Sequence, residues 1–451
     1  MEYHIICLPY YIFTFVFSKA MNKVLIITYY WPPSGGAGVQ RWLKFSKYLL
    51  KSGIEPIVLT VDSQYATYPQ KDPELENEIP KQIIVEKTKS FELYSFYKKV
   101  SPNKEIPFGG FANSVNLSLK EKILRFIRGN LFVPDPRRGW NKYAFKTACK
   151  LIKQHNIKTV ITTSPPHSTQ LIGKKLKKKF GINWIVDFRD PWTEIYYFKQ
   201  LYPTRIVTIL NKYLEKSVLT KADAVITVSD ELKRLYKEKI RKNTSKITVI
   251  PNGFDEDDFR GKERAKSSEV FYISYVGTIS DEYNSAAFIE AVRKLPAEQL
   301  ENLRIRFVGK VNPKTIEAFK NVGLFENIEI IQYVTHTAAI DFMLSSNMLL
   351  LIIPDVKNNE GILTGKLFEY IACRIPILFI GPENGDAAKI INETGSGEVF
   401  GYGDSDRIHE ALFAAITSES ENKTELPNIN ITKYSRESLT QKLAGLINQL
   451  K

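Results

Sequence analysis

Apolar residues along the chain fall into short runs separated by longer amphipathic stretches. From position 23 the runs are KVLIIT (23–28), PIVLTV (56–61), TVITTS (159–164), NWIVDF (183–188), AVITVS (224–229) and KITVIP (246–251). Runs this apolar and β-branched predict strands buried on both faces of a parallel sheet, because a strand with one wet face would alternate. Most of the gaps carry helix-length segments with an apolar stripe, such as 39–51 and 204–219. Strand and helix in alternation predict a doubly wound domain over 21–250. A second set follows: VFYISYVG (270–277), LRIRFVG (303–309), NIEIIQ (327–332), NMLLLII (347–353), IPILFI (375–380) and GEVF (397–400), with helices at 285–294, 365–373 and 406–417. These predict a second domain of the same kind over 270–434. The polar stretch PNGFDEDDFRGKERAKSSE (251–269) reads as the linker between them, and 435–451 as a last helix with no strand after it. The expected fold class is therefore α/β, with two doubly wound Rossmann-like domains facing a central cleft. Ligands bind beyond the carboxyl ends of parallel strands, so the loops of both domains would line that cleft.

Two regions depart from this rhythm. Residues 1–20, MEYHIICLPYYIFTFVFSKA, are apolar from about Ile5 to Phe17. That is short of the ~20 residues a bilayer-spanning helix needs, and there is no basic segment of the signal-peptide type. Met21 then opens MNKVLIITYY like a natural start, so 1–20 is expected to be a start-site extension, with a weak membrane anchor as the alternative. Residues 89–140 are rich in aromatics, Lys and Pro and include LKEKILRFIRGNLFVP (119–134), whose apolar positions 119, 123, 124, 127 and 131 are flanked by Lys120, Lys122, Arg125 and Arg128. A basic amphipathic helix of this type either lies on an anionic membrane or packs as an ordinary surface helix.

The length, 451 residues, fits two domains. Lys and Arg exceed Asp and Glu by 63 − 49 = 14, which favours a polyanionic partner. Zinc-finger, RNP and basic-zipper signatures are absent, so phosphate-bearing substrates or an anionic membrane surface are expected and nucleic acid is not. KKLKKKF (174–180) has the same two readings, a solvated face or a lipid contact. The three cysteines, Cys7, Cys149 and Cys373, are far apart, and the five histidines show no ligand spacing. Neither a disulfide framework nor a metal site follows, and a reducing cytoplasm fits, with the protein peripheral on the inner membrane face.

Candidate chemistry gathers at predicted loops. SGGAG (34–38) follows a strand and precedes a helix, where glycines admit close backbone approach and free N–H groups favour an anion. Val39 and Gln40 stand where a Walker loop needs Lys and Ser or Thr, and a dinucleotide fingerprint lacks its third glycine, although Asp62 after the second strand keeps a nicotinamide enzyme in view. His167 in SPPHST (164–169) sits at a strand's carboxyl end. Asp187, Arg189, Asp190 and Trp192 in VDFRDPW (186–192) sit at the next, as an acceptor site or as a pair fixing the loop. In ILTGKLFEYIACRIPILFIGP (362–382), Lys366 lies near a helix start, where it can meet a diphosphate. Glu369, one turn on, can bind a ribose diol. A further Gly loop, GPENGDAAKII (381–391), precedes another helix.

Taken together these segments resemble a GT-B glycosyltransferase of the family 4, group 1 type from Met21 to the C-terminus. ADAVITVSDELKRL with ITVIPNGFDEDDF resembles the end of the family's first domain, YISYVGT the opening of its nucleotide domain, and GKLFEYIACRIPIL its donor helix and strand. The resemblance implies transfer of a sugar from a nucleotide-sugar with retained configuration, no obligatory metal or other cofactor, and a C-terminal helix crossing back to the first domain. With the resemblance, the basic surface and the 119–134 helix lead to the expectation of a lipid-linked or polysaccharide acceptor in surface glycan synthesis. The donor set implied is Gly35, Gly36, Ala37, Gly38, Arg41, Gly277, Lys366, Leu367 and Glu369, with His167 and Asp190 at the reacting sugar. Asp187, Arg189 and Trp192 would orient the loop or the acceptor. Glu369 matches the second acid of the family's E-x7-E motif, but the first would fall on Gly361, with Glu360 one position away. Thr278 and Asn284 stand where the family carries Arg and Lys, which leaves Lys366 and Arg41 to meet the diphosphate. A UDP-sugar 2-epimerase of the same fold and a non-catalytic subunit are the alternatives.

Overall fold

The computed structural model describes residues 22–91, 119–264, 269–420 and 429–450; the extension or anchor expected at 1–20 lies outside them. Seven strands form the first sheet: β1 (Asn22–Ile27), β2 (Ile54–Val61), β3 (Ile84–Thr88), β4 (Thr159–Ser164), β5 (Asn183–Phe188), β6 (Ala224–Thr227) and β7 (Ile247–Val249). Six form the second: β8 (Phe271–Val276), β9 (Leu303–Val308), β10 (Ile328–Ile331), β11 (Met348–Ile352), β12 (Ile377–Ile380) and β13 (Gly397–Phe400). The orders are β3-β2-β1-β4-β5-β6-β7 and β10-β9-β8-β11-β12-β13. Every strand pair is parallel. Each sheet reverses its direction of growth once, between β1 and β4 and between β8 and β11, and such reversals open a crevice at the carboxyl ends.

Burial explains the continuous apolar runs. Along β1, Leu25 and Ile27 enter a cluster with Trp140 and Val160 on one face of the sheet, while Val24 and Ile26 enter another with Trp42 and Leu43. Both faces are dry from Val24 to Ile27, and these four positions are all apolar. The strand that the runs do not reveal is β3. It sits at the edge, pairs on one side only, and of its five residues just Thr88 is buried. Its Glu86 and Lys87 break the apolar run that an interior strand would show.

The chain passes between the domains twice, and the two passages lie side by side. The Phe254 N–H donates to the Tyr434 carbonyl (3.1 Å), and the Arg436 N–H donates to the Phe254 carbonyl (2.7 Å). Gly253 has φ +68, and a Cβ there would meet Leu439 and the Tyr434 carbonyl at 2.5 and 2.6 Å. Glycine is thus required by both torsion and space. The helix Arg436–Gln449 then packs on the first domain, with Leu439, Leu443 and Ile447 in the same cluster as Val24, Ile26 and Trp42.

The acidic run at 255–258 is held against the helix Ala37–Lys51. Lys44 pairs with Glu78 (2.8 Å), Asp255 (2.7 Å) and Asp258 (2.7 Å), Lys47 pairs with Asp257 (2.6 Å), and the Tyr48 hydroxyl donates to Asp255. Among the described residues, no helix is long and apolar enough to cross a membrane.

Candidate functional site

In the first domain the loop after β1 closes on the start of the helix Ala37–Lys51. Gly36 caps that helix with φ 99 and contributes no side-chain cap, so its first N–H groups point out of the helix end uncapped by a side chain. Gly38 is the close approach: a Cβ there would lie 1.8 Å from Arg189 Nη1. Arg189 is held in place by donating to the Ser164 carbonyl from Nε (3.2 Å) and to the Pro165 carbonyl from Nη2 (3.5 Å). A helix N-terminus and a guanidinium therefore face the same point, which suits an anion. Around this loop the buried Trp31 Nε1, Ser34 Oγ and Gln40 Oε1 find no hydrogen-bond partner among the described residues.

Asp187, one residue before the end of β5, is fully buried. It accepts from Arg41 Nη2 (2.9 Å), Arg41 Nε (3.3 Å), Trp42 Nε1 (2.7 Å) and Thr163 Oγ1 (2.8 Å). Arg41 also donates from Nη1 to the Pro251 carbonyl at 2.8 Å. Burial lowers the Arg41 pKa, and the Asp187 carboxylate works against that drop. These contacts bear on two expectations. Arg41 is fully buried and its charge is matched by Asp187 inside the first domain, so its side chain is not turned to the cleft. Of the two readings of Asp187, acceptor contact or loop fixing, its contacts are those of a loop-fixing group.

His167 ends β4's loop and begins the helix Ser168–Phe180. Its ring stacks on Trp192, 4.9 Å apart and 7° from parallel, and Trp192 Nε1 donates to Asn211 Oδ1 at 2.9 Å. Trp192 is buried behind that ring. Desolvation, with the charges of Lys239 and Arg189, holds the His167 pKa down at about 3, so the ring is neutral and Nδ1 lies buried without a partner among the described residues. Asp190 lies near Tyr197; its desolvation raises its pKa, Asp187 pushes the same way and Arg189 opposes both.

In the second domain the helix Gly365–Cys373 starts behind Thr364, which makes no side-chain cap and leaves Oγ1 without a partner among the described residues. Lys366 lies over Gly277, whose φ is +126 and whose hypothetical Cβ would meet Lys366 Nζ at 2.9 Å. Nζ donates to the Tyr275 hydroxyl (2.6 Å), which donates in turn to the Thr278 carbonyl (2.9 Å). Desolvation brings the Lys366 pKa down to about 7, against a modest pull upward from Glu369. Glu369 Oε1 lies 3.0 Å from His336 Nε2. Burial pushes the Glu369 pKa up, but the hydrogen bond and charge of His336, with Arg436 and Lys366, outweigh it and leave the carboxyl below its usual range. Burial pulls His336 down, and Glu369 more than offsets this, so the imidazole is raised. The Leu367 side chain is fully buried in the core, which leaves its backbone N–H, in the first turn of the helix, for any ligand.

Gly361 explains the missing first acid. A Cβ there would lie 3.1 Å from Glu231 Cβ and 3.2 Å from Ser229 Oγ, in the first domain. Next to it the Glu231 N–H donates to Asp386 Oδ2 at 2.8 Å, so the domains touch at this point and a longer side chain would wedge them apart. Asn284 is committed to Asp355, Nδ2 to Oδ2 at 3.3 Å. His336 and Tyr275 are the site residues that the motifs did not single out. The only sequence signal for Tyr275 is its place just before the Val276–Gly277 turn, and for His336 its place after Thr335, which caps the helix His336–Leu344. No cluster of His, Cys, Asp or Glu able to hold a metal ion occurs among the described residues.

Comparison with known proteins adds the following. Residues 108–258 match the family described as Glycosyltransferase Family 4, and residues 255–432 match Glycosyl transferases group 1. No curated protein matches the chain. Among solved structures, the chain is similar to sucrose-phosphate synthase from Thermosynechococcus elongatus (12% identity, 95% of this chain and 99% of that one, TM-score 0.62). It is similar to WaaG, a glycosyltransferase involved in lipopolysaccharide biosynthesis (14%, 94% and 99%, TM-score 0.53). It is also similar to a Listeria monocytogenes protein assigned as a UDP-N-acetylglucosamine 2-epimerase (12%, 95% and 96%, TM-score 0.53). Identities this low establish a shared fold.

Proposed function

The chain belongs to the group 1 glycosyltransferases of the GT-B fold, and from that premise we propose that it transfers a sugar, with retention, from a nucleotide-sugar to a glycan or lipid-linked acceptor in surface glycan synthesis. The observation that carries the reading is Lys366: a desolvated ammonium at an uncapped helix start, over a glycine, one helical turn from the half-buried Glu369 carboxylate. In this reading Glu369, oriented by His336, accepts from the donor ribose. Lys366 and the first N–H groups of the helix Gly365–Cys373 hold the diphosphate, and no metal is required. Gly36–Gly38 and Arg189 face it from the first domain. The bond between the sugar's anomeric carbon and the diphosphate oxygen breaks, and the acceptor oxygen bonds to that carbon from the same face. The departing oxygen takes the acceptor's proton. The chain's part is positioning and charge stabilisation rather than a strong base. Neutral His167 hydrogen-bonds the transferred sugar, and Asp190 orients the acceptor hydroxyl.

Both family matches are to glycosyltransferases, which favours transfer over 2-epimerisation. The test is a thermal-shift screen of UDP, GDP, CMP and dTDP sugars on the wild-type chain, Lys366→Ala and Glu369→Ala. One nucleotide should raise the melting temperature of the wild type and lose its effect in both variants. Equal shifts in all three proteins would remove the donor site from this helix.

A further inference from the structure

The helix Leu119–Leu131 is mounted inside out. Leu119, Ile123, Phe126 and Ile127 fall at i, i+4, i+7 and i+8, one stripe of a helix, and are 75, 51, 47 and 39% exposed. None of the helix's described side chains is buried. Arg125 and Arg128 lie on the other side and are the more covered residues. Arg125 is desolvated enough to lower its pKa, with Tyr202, Glu121 and Glu282 acting in opposition, and the charge of Arg128 is felt by Tyr197 beside Asp190. A helix packed on its own domain in water carries the reverse polarity.

A second helix, Arg205–Lys221, repeats the pattern. Ile206, Ile209, Leu210 and Tyr213 at i, i+3, i+4 and i+7 are 78, 67, 42 and 66% exposed. Arg205, Lys212 and Lys216, at i, i+7 and i+11, form the stripe next to them. The two helices are fastened into one surface. Asn130 Nδ2 donates to the Tyr202 carbonyl (3.0 Å), the Thr204 N–H donates to Asn130 Oδ1 (2.8 Å), and Gly129 sits against Leu201. Lys120 and Lys122 flank the first apolar stripe, with Glu121 between them. Scattered apolar side chains are ordinary on a protein surface, but two joined helices each carrying such a stripe beside cations are the chemistry of a bilayer interface. A second copy of the chain is disfavoured as the occupant, since self-pairing would bring these lysines and arginines together.

We propose that the helices Leu119–Leu131 and Arg205–Lys221 dock on an anionic lipid bilayer, and that docking sets the cleft mouth at the membrane so that an amphiphilic acceptor reaches Asp190 past Arg128 and Tyr197. The acceptor half of this rests on the transfer reading above; the docking half does not. The test is flotation of the full chain with phosphatidylcholine vesicles, with and without phosphatidylglycerol, across a salt series and without nucleotide. The wild type should bind the anionic vesicles and lose them as salt rises. Ile206→Glu/Ile209→Glu should lower partitioning about ten-fold or more, and Lys120→Glu/Lys122→Glu about ten-fold with a flatter salt dependence. Both variants should keep the wild-type melting temperature and nucleotide-sugar shift. No binding to any vesicle, or equal binding by all three proteins, overturns the proposal. So does a wild-type dimer in sedimentation equilibrium that Ile206→Glu/Ile209→Glu splits, which would assign the surface to a second copy. Intact vesicle binding with no nucleotide response would count against the transfer reading alone.

Discussion

Arg41 and Lys366 occupy comparable places in the two domains. Each lies in the first turns of a helix that opens at the cleft end of a parallel sheet, and each is a candidate for the same diphosphate. Their surroundings separate them. Arg41 is enclosed with Asp187 as a contacting carboxylate, its charge matched within the domain. Lys366 is only partly buried, though desolvation still holds its pKa down, and its hydrogen-bond partner is a tyrosine hydroxyl. A cation with a buried partner fixes architecture, whereas one held dry without such a partner is left for a ligand to neutralise. In the first domain the mouth of the loop is served instead by Arg189.

The largest way to break this comparison is Arg41→Met. It strands the Asp187 carboxylate in the core, and the expected loss is about 3–5 kcal/mol of unfolding free energy. Urea titration measures it, and a loss within error of zero would mean that Asp187 is not held as described.

Lys366→Met should do the opposite, raising stability near neutral pH by removing a charge that burial disfavours, while lowering kcat/KM by about 10²–10³. The pH dependence sharpens this. The free protein's Lys366 titrates at about 7, against an ordinary 10.5, so between those values the unfolded chain binds the extra proton and stability rises with pH across that window. Nucleotide binding needs the protonated form, so affinity should weaken toward about ten-fold per unit above pH 7 in the wild type. In Lys366→Met it should be flat, and calorimetric titration at several pH values decides between them.

The smallest expected effect belongs to His336. A cycle of His336→Ala, Glu369→Gln and the double variant, read on nucleotide affinity, should show a coupling of about 1 kcal/mol or more. Additive losses would make His336 a bystander to Glu369.

The same contrast marks what sequence could reveal. Interior strands were legible because burial on both faces leaves continuous apolar runs, and β3 was not, because an edge strand carries Glu86 and Lys87. Lys366 and Glu369 were legible because a single helical turn supplies both. His336 was not, since it meets Glu369 across 33 positions of chain. The pairing of Arg41 was not legible for a related reason: its partner Asp187 lies 146 positions away, and no local motif reports it. Gly361 looked like a lost acid until the first domain's Ser229 and Glu231 were seen in the space its side chain would fill.

The double passage between the domains has a consequence for synthesis on the ribosome. The first domain's sheet is complete once β7 has emerged, but the helix that covers one side of its core, Arg436–Gln449, is translated only after the entire second domain. Until then the apolar ground that Leu439, Leu443 and Ile447 will occupy stays uncovered on the nascent chain. A fragment that stops at the linker should accordingly be chaperone-bound or insoluble, and adding the 436–449 peptide in trans should rescue it.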